Sequence, residues 1–427
     1  MKELVGIKVE NFKSLKNIEI PLKQFNVLIG TNGSGKTNVL ELIEFVNSCI
    51  SPQKTPPYPF VYWGGYRNIV WAGNDRAPIH VKINYTIDNH PINYTLGIIS
   101  LDNNRLEILD ETLQIENYLK ITLSGGRVIY SVEPPFAKQM DSFTKLLPSM
   151  IQDMDCKNFT IIRNDSDISI LKVPYWHEFI MEKDNVAVLR ASVFNNDQME
   201  IRHLFSPIVK KTHAVHSLYN LAVDYITHPD NILFLRQLNY EELRRSAPVN
   251  YSAELDQDGE GLVNLLFQWF TEKQKLPDIF TLALEELFPG WQISFHVTQD
   301  GNIIMGVTDG QTKLSPSSIP DGFYKLLAIL AAIELEPKIL LIDEIETSLH
   351  ARIIEYVLDL LRNTDSTVII TTHSPIVVDY VDIDDLILLE STNHTSKCRK
   401  IKNPNELKQE LASKGITVSD SWLYGKL

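Results

Sequence analysis

The residues Gly30-Thr31-Asn32-Gly33-Ser34-Gly35-Lys36-Thr37 set glycines, a lysine and a hydroxyl in the order G-x-x-x-x-G-K-[ST]. Without a Cβ in the way, backbone N–H groups of such a loop can wrap phosphate oxygens. The apolar run Phe25–Ile29 precedes it, and Val39, Leu40, Leu42, Ile43 and Val46 follow at helical spacing. The loop therefore leads from a buried strand into a helix whose positive N-terminus faces the same anion. Lys36 is expected to reach the β- and γ-phosphates of ATP, and Thr37 to ligate Mg²⁺.

Two further segments carry matching chemistry. The apolar run Ile339–Ile342 ends in Asp343-Glu344. Asp343 can hold the cation through water, while Glu344 orients or deprotonates an attacking water. The next apolar run ends in Thr371-Thr372-His373-Ser374-Pro375, where His373 can contact a γ-phosphate and sense its loss. A polar stretch, residues 317–322, precedes an apolar helix, and Asp321 is a suitable helix cap there.

The elements that must position these groups are legible as patterns. Short strands are predicted at 5–9, 18–20 and 25–29, and alternation over 79–123 predicts an antiparallel sheet broken at Asp88-Asn89 and at Asp102-Asn103-Asn104. The stretch 141–300 is mixed, with helices predicted at 199–227 and 261–272. From residue 321 helices (323–335, 351–361) alternate with strands (339–342, 367–371, 385–390), the pattern of a parallel α/β sheet. The expected fold is α/β: a P-loop nucleotidase sheet assembled from both ends of the chain, an antiparallel β lobe and a partly helical insertion. The expected division is 1–175, 176–305 and 306–427.

Together these segments resemble the ABC-type ATPase heads of the RecF, OLD and SMC group. Glu10-Asn11-Phe12-Lys13-Ser14 resembles that group's opening strand and turn, and residues 35–41 its P-loop helix. Asp343-Glu344 corresponds to its Walker B acids, residues 344–350 to its D-loop and His373 to its switch histidine. Asp321-Gly322 with Leu326-Leu327-Ala328 resembles its signature helix, and Trp422-Leu423-Tyr424-Gly425 the ending of small stand-alone AAA-family ATPases. The resemblance implies ATP and Mg²⁺ as ligands. It makes Lys13, Asn32, Gly33, Ser34, Gly35, Lys36, Thr37, Asn38, Asp321 and Gly322 nucleotide-contacting residues, Thr37 and Asp343 metal-binding, and Glu344 and His373 catalytic. It also implies a homodimer or higher homo-oligomer in which two heads sandwich ATP. Pro320 stands where the group has a signature serine and offers neither hydroxyl nor N–H. Between Trp63 and Asn74, where a Q-loop is expected, no metal-contacting side chain is assignable.

Composition narrows the alternatives. The chain has 427 residues, 44% hydrophobic and 22% charged, with a formal net charge of −14. Such a balance opposes non-specific nucleic-acid binding by the whole surface. Cys49, Cys156 and Cys398 are too scattered for a disulfide framework or a zinc site, which points to a reduced, cytoplasmic setting. His203, His213, His216 and His228 lack paired metal-ligand spacing. The apolar stretch 326–342 is interrupted by Glu334, Glu336 and Lys338, so a core helix and strand are expected and no membrane insertion. Too few residues follow His373 for a further nuclease domain around Asp382, Asp384 and Asp385. The basic run 397–402 reads as a charged sheet edge, and Arg244-Arg245 and Lys210-Lys211 are weaker basic signals.

The function expected from this sequence is ATP binding with slow hydrolysis as a dimerising switch that controls a separately encoded effector, with antiphage defence the setting that the resemblance to stand-alone ATPases implies. The alternative is a repair or recombination ATPase that engages DNA on its dimer surface. A nucleotide-dependent scaffold without useful turnover is a third class.

Overall fold

The computed structural model describes residues 2–50, 60–87, 90–101, 105–116, 119–124, 127–132, 158–162, 180–182, 231–250, 253–401 and 403–425. The helix expected at 199–227, the four clustered histidines, Lys210-Lys211 and Cys156 lie outside them. The chain divides into two units, both discontinuous: residues 1–23, 41–231 and 392–397, and residues 24–40, 232–391 and 398–427.

The first unit is built on one antiparallel sheet. Its strands are β1 (Lys2–Phe12), β2 (Leu15–Pro21), β4 (Ile79–Ile87), β5 (His90–Leu101), β6 (Arg105–Ile115), β7 (Leu119–Ser124), β8 (Arg127–Val132), β9 (Asn158–Ile162) and β10 (Ile180–Glu182), while β3 (Phe25–Ile29) belongs to the second unit. Their order is β10-β9-β8-β7-β6-β5-β4-β1-β2. Strand β4 alternates strictly, with Ile79, Val81, Ile83, Tyr85 and Ile87 buried, which fixes one face inward. The second half of the P-loop helix, Lys36–Ile50, joins this unit. There Phe45 meets Phe12 at 5.4 Å between ring centroids and Trp63 edge-on at 5.5 Å. The stretch 63–74 forms short helical turns, anchored by the buried Tyr66, whose hydroxyl donates to Ala77 O at 2.9 Å.

The second unit holds the chemistry. Its main sheet contains β3 (Phe25–Ile29), β11 (Ile232–Leu235), β16 (Ile339–Ile342), β17 (Thr367–Thr372), β18 (Leu386–Thr392) and the end of β19 (Thr395–Lys400), whose residues the division splits at 397/398, in the order β11-β16-β17-β3-β18-β19. Neighbours from β11 to β18 are parallel. Strand β11 lies in the stretch expected to be an insertion, yet it extends this sheet beside β16. All five residues of β3 and all four of β16 are buried, as near-continuous apolar runs require when both faces of a sheet are covered. A small antiparallel sheet, β12 (Ala247–Pro248), β13 (Trp291–Val297), β14 (Asn302–Asp309) and β15 (Thr312–Leu314), completes the unit.

At the centre of this unit runs the helix Asp321–Glu334, with every residue from Phe323 to Ala332 buried. A helix apolar on all sides has to lie in a core, and Lys325 is the one charged residue in that run. The strand expected at 385–390 is observed at Leu386–Thr392, but the chain continues through β19 and the helices Pro404–Lys414 and Val418–Leu423. Lys397, Arg399 and Lys400 are exposed on β19, at the sheet's edge, so the basic run is a charged edge strand. Residues 383–385 form a single tight turn leading into β18. Among the described residues no helix is long and apolar enough to cross a membrane.

Candidate functional site

Strand register brings the three chemical segments together. Ile342 pairs with Ile370, and Thr372 with Ile29. One residue further on, Asp343 is level with Thr371, and Gly30 with His373. All sit at the carboxyl ends of parallel strands, where ligands of such sheets bind.

The loop between β3 and the P-loop helix curls through left-handed glycines, Gly33 at φ 76° and Gly35 at φ 100°, a conformation that costs glycine little. Ser34 Oγ is buried in this loop and has no hydrogen-bond partner among the described residues, an orphaned polar atom that a phosphate oxygen would satisfy. Lys36 folds back over the loop. Its ammonium donates to Gly30 O at 2.9 Å and Thr31 O at 3.2 Å, and approaches His373 Nδ1 at 3.4 Å. An ammonium has only donors, so in this contact Nδ1 is the acceptor.

Thr37 Oγ1 donates to the Asp343 carboxylate, 3.0 Å from Oδ2 and 3.2 Å from Oδ1. A hydroxyl and a carboxylate at that spacing fit Mg²⁺, which takes oxygen ligands and binds through one or two carboxylates plus substrate phosphates. Thr371 adds a bridge: its hydroxyl donates to Asp343 Oδ1 at 2.5 Å and accepts from Glu344 N–H at 2.8 Å. Glu344 is exposed and left-handed at φ 46°, a strained state for a non-glycine residue that clusters at functional sites. Its Oε2 accepts from Thr347 Oγ1 at 3.3 Å. Glu346 Oε1 accepts from the His373 backbone N–H at 2.6 Å, while Glu346 Oε2 is buried and unpaired.

Burial pushes the Lys36 ammonium down to about 8, against the opposing pull of Asp343, Glu344 and Glu346. Near pH 8 about half of the chains then carry a neutral amine, and a polyphosphate favours the charged form. Nucleotide binding should take up a proton there, and affinity should fall as pH rises from 7 to 9. Titration calorimetry in buffers of different ionisation heat checks this, with Lys36→Arg expected to abolish the uptake. The sign for folding is opposite. The folded value lies below the unfolded one, so Lys36 makes the nucleotide-free fold gain stability as pH rises from about 8 toward the unfolded lysine value.

The signature-like segment is held within its own unit. Pro320, not Asp321, is the N-cap residue, and no side chain caps the helix. Asp321 is instead the first helical residue, paired to Arg244, whose Nη2 donates to Asp321 Oδ1 at 2.5 Å and to Ile319 O at 2.9 Å. The Arg244 guanidinium lies 5.5 Å from the Tyr324 ring centroid, so it serves this loop and is not part of a basic patch. Gly322 lies against the segment after Glu344: a Cβ there would stand 2.3 Å from Ser348 O. Gly322→Ala should therefore lower stability by about 1–3 kcal/mol, read as a lower urea midpoint with the slope unchanged.

Lys13 belongs to the first unit, where its ammonium pairs with Glu41. Asn32 lies within the loop and Asn38 in the first turn of its helix, both in the second unit. Thr371, Glu346 and Arg244 were absent from the residues expected to act. The TTHS run did contain Thr371, and E-x-E after the strand contained Glu346, but the partners of both lie across the sheet.

The family model described as "AAA ATPase domain" matches residues 1–235. The one described as "AAA domain, putative AbiEii toxin, Type IV TA system" matches residues 161–379. A RecF DNA replication and repair protein from Citrifermentans bemidjiense is 52% identical over 87 residues, 20% of this chain and 24% of the relative. The RecF protein of Geobacter sp. strain M21 is 33% identical over a stretch of the same coverage. Structural maintenance of chromosomes protein 1 of Arabidopsis thaliana is 26% identical over 125 residues, 27% of this chain and 10% of that protein. The chain thus matches about a quarter or less of these relatives' length. An SMC head solved with the C-terminal winged-helix domain of ScpA superposes with a TM-score of 0.50 at 13% identity, covering 95% of this chain and 99% of that one. The fold is that of an SMC-type head. Each of the two family models matches more than half of the residues, and the chain belongs to the AAA ATPase-domain family they describe.

Proposed function

We propose that this protein binds ATP with Mg²⁺ and hydrolyses it slowly, two copies closing on the nucleotide as a switch for a separately encoded effector in the cytoplasm. The observation that carries this reading is the convergence of Lys36, Thr37, Asp343, Glu344, Thr371 and His373 at one end of one parallel sheet. Lys36 and the loop N–H groups bind the phosphates. Thr37 and Asp343 hold the cation, which supplies charge neutralisation on the phosphates. Glu344, exposed to solvent, orients or deprotonates water, while Thr371 fixes the backbone on which it is mounted. His373 contacts the γ-phosphate side through the neighbourhood of Lys36.

Slowness follows from the signature loop. Pro320 has no donor, and Phe323 N–H is already bonded to Pro320 O at 3.0 Å. The donors left for a partner's γ-phosphate are the backbone N–H groups of Asp321 and Gly322, at a helix start that favours anions. The SMC-head fold and the toxin–antitoxin description of one family model support the dimerising switch with a separate effector. The RecF similarity supports the second reading, a repair ATPase that binds DNA as a dimer, against which the net charge of −14 stands.

Sedimentation velocity tests the switch. ATP with Mg²⁺ should convert Glu344→Gln from monomer to dimer, and ADP should not. Unchanged sedimentation with ATP would remove the two-headed model. Adding a DNA duplex at several salt concentrations separates the readings, since ATP-dependent, salt-sensitive binding would favour repair.

A further inference from the structure

The last pair in the ladder between β17 and β3 is Thr372 with Ile29, and the last between β16 and β17 is Ile342 with Ile370. His373 stands one residue past the end of its strand, so its N–H has no ladder acceptor and needs one from elsewhere. Glu346 supplies it, its Oε1 accepting from the His373 N–H at 2.6 Å. The next N–H, that of Ser374, goes to Thr372 Oγ1 at 2.9 Å. Beyond β17 these two main-chain donors are thus held by side chains and not by the sheet. The second oxygen of Glu346 is buried and has no hydrogen-bond partner among the described residues, so among them the carboxylate is bonded to His373 alone. Two more contacts join the same segments: Glu344 N–H donates to Thr371 Oγ1 at 2.8 Å, and Ile345 N–H to Thr371 O at 3.2 Å. Residues 344–346 are therefore stitched to residues 371–373 three times in succession, and Glu346 is the stitch that reaches the histidine. The imidazole has a second hold, its Nδ1 lying 3.4 Å from the Lys36 ammonium. That hold is conditional, since phosphates draw an ammonium to themselves. The Glu346 bond involves no atom of the phosphate loop and does not compete with a ligand.

We infer that Glu346 is a positioning residue of the nucleotide site: it holds the His373 main chain past the end of β17, so that the imidazole faces the γ-phosphate and moves as one piece with the segment that carries Glu344. The inference rests on the ATP-site reading above and deepens it, assigning how the site tells a nucleoside triphosphate from a diphosphate. Reach, not charge, is what the contact needs. A glutamine oxygen can accept the same N–H, whereas an aspartate is one methylene too short to meet it without moving the main chain.

The test reads preference, the Kd for ADP divided by the Kd for a non-hydrolysable ATP analogue, by equilibrium titration of the full chain with Mg²⁺. Glu346→Asp keeps the charge and loses the reach. It should lower the preference about tenfold or more, with ADP affinity within about threefold of wild type because the phosphate loop is intact. Glu346→Gln keeps the reach and loses the charge, and its preference should stay within about threefold of wild type. In a His373→Ala background, where the imidazole is already gone, Glu346→Asp should change the preference by less than about twofold. A role confined to stability would instead weaken both nucleotides together and add to His373→Ala. Should Glu346→Asp not fold, Glu346→Ala decides: it removes the acceptor without leaving a misplaced charge, and the same loss is expected. An unchanged preference in the variant that folds, a loss in Glu346→Gln, or an undiminished further loss in the His373→Ala background overturns the inference. A wild type that binds both nucleotides equally would sink the γ-phosphate reading of His373, and the inference falls with it. A wild type that prefers the ATP analogue but does not turn over ATP would sink the hydrolysis reading alone.

Discussion

Glu344→Gln is expected to lower the ATPase kcat by about 100-fold or more while leaving ATP binding within about threefold of wild type. The reason lies in how Glu344 is mounted. Its backbone N–H is tied to Thr371 Oγ1, and its side chain is exposed on a left-handed backbone. Glutamine keeps the size and the contact with Thr347 Oγ1 but cannot take a proton. The fold and the phosphate contacts survive, so the chemical step alone is lost. A multiple-turnover phosphate assay beside equilibrium binding of a fluorescent ATP analogue checks both halves. Turnover equal to wild type would remove Glu344 from the catalytic role. Loss of binding in step with turnover would show that the side chain serves the ground state.

The second large effect should be the converse. Lys36→Ala is expected to weaken ATP binding by about 100-fold or more, since a charge-assisted contact to each of two phosphates contributes about 1.5–3 kcal/mol. Stability of the nucleotide-free protein should hold or rise. At neutral pH the Lys36 ammonium is desolvated, which is why it titrates down at about 8, and among the described residues its hydrogen-bond partners are two carbonyls and an imidazole nitrogen. Removing it deletes a buried cation as well as those bonds. Chemical denaturation with and without ATP separates the cases. Wild type should be stabilised by ATP in proportion to the logarithm of its concentration, and Lys36→Ala should not. A nucleotide-free midpoint that falls sharply would mean Lys36 is a structural pin first and a phosphate ligand second.

The residues that could do the chemistry were legible because each motif is local. A run of glycines before lysine, an apolar strand that ends in two acids, and a strand that ends in histidine each put their groups at the end of a strand by period alone. Asp321 shows the limit. As a short acid before an apolar helix it reads as a cap, but Arg244, far back in the chain, pairs with it at the first helical position and leaves Pro320 as the cap. Strand β11 shows the same limit for the fold. Its four apolar residues carry no period that distinguishes them from a buried helix segment, and only pairing with β16 makes them part of the sheet.

By itself, then, the sequence determined the α/β class, the phosphate loop, the pair of acids and the histidine, since backbone period and glycine sterics act over a few residues. Tertiary structure alone decided which groups serve them. Thr371 becomes a bridge because Ile342 pairs with Ile370, and a shift of register would carry its hydroxyl away from Asp343.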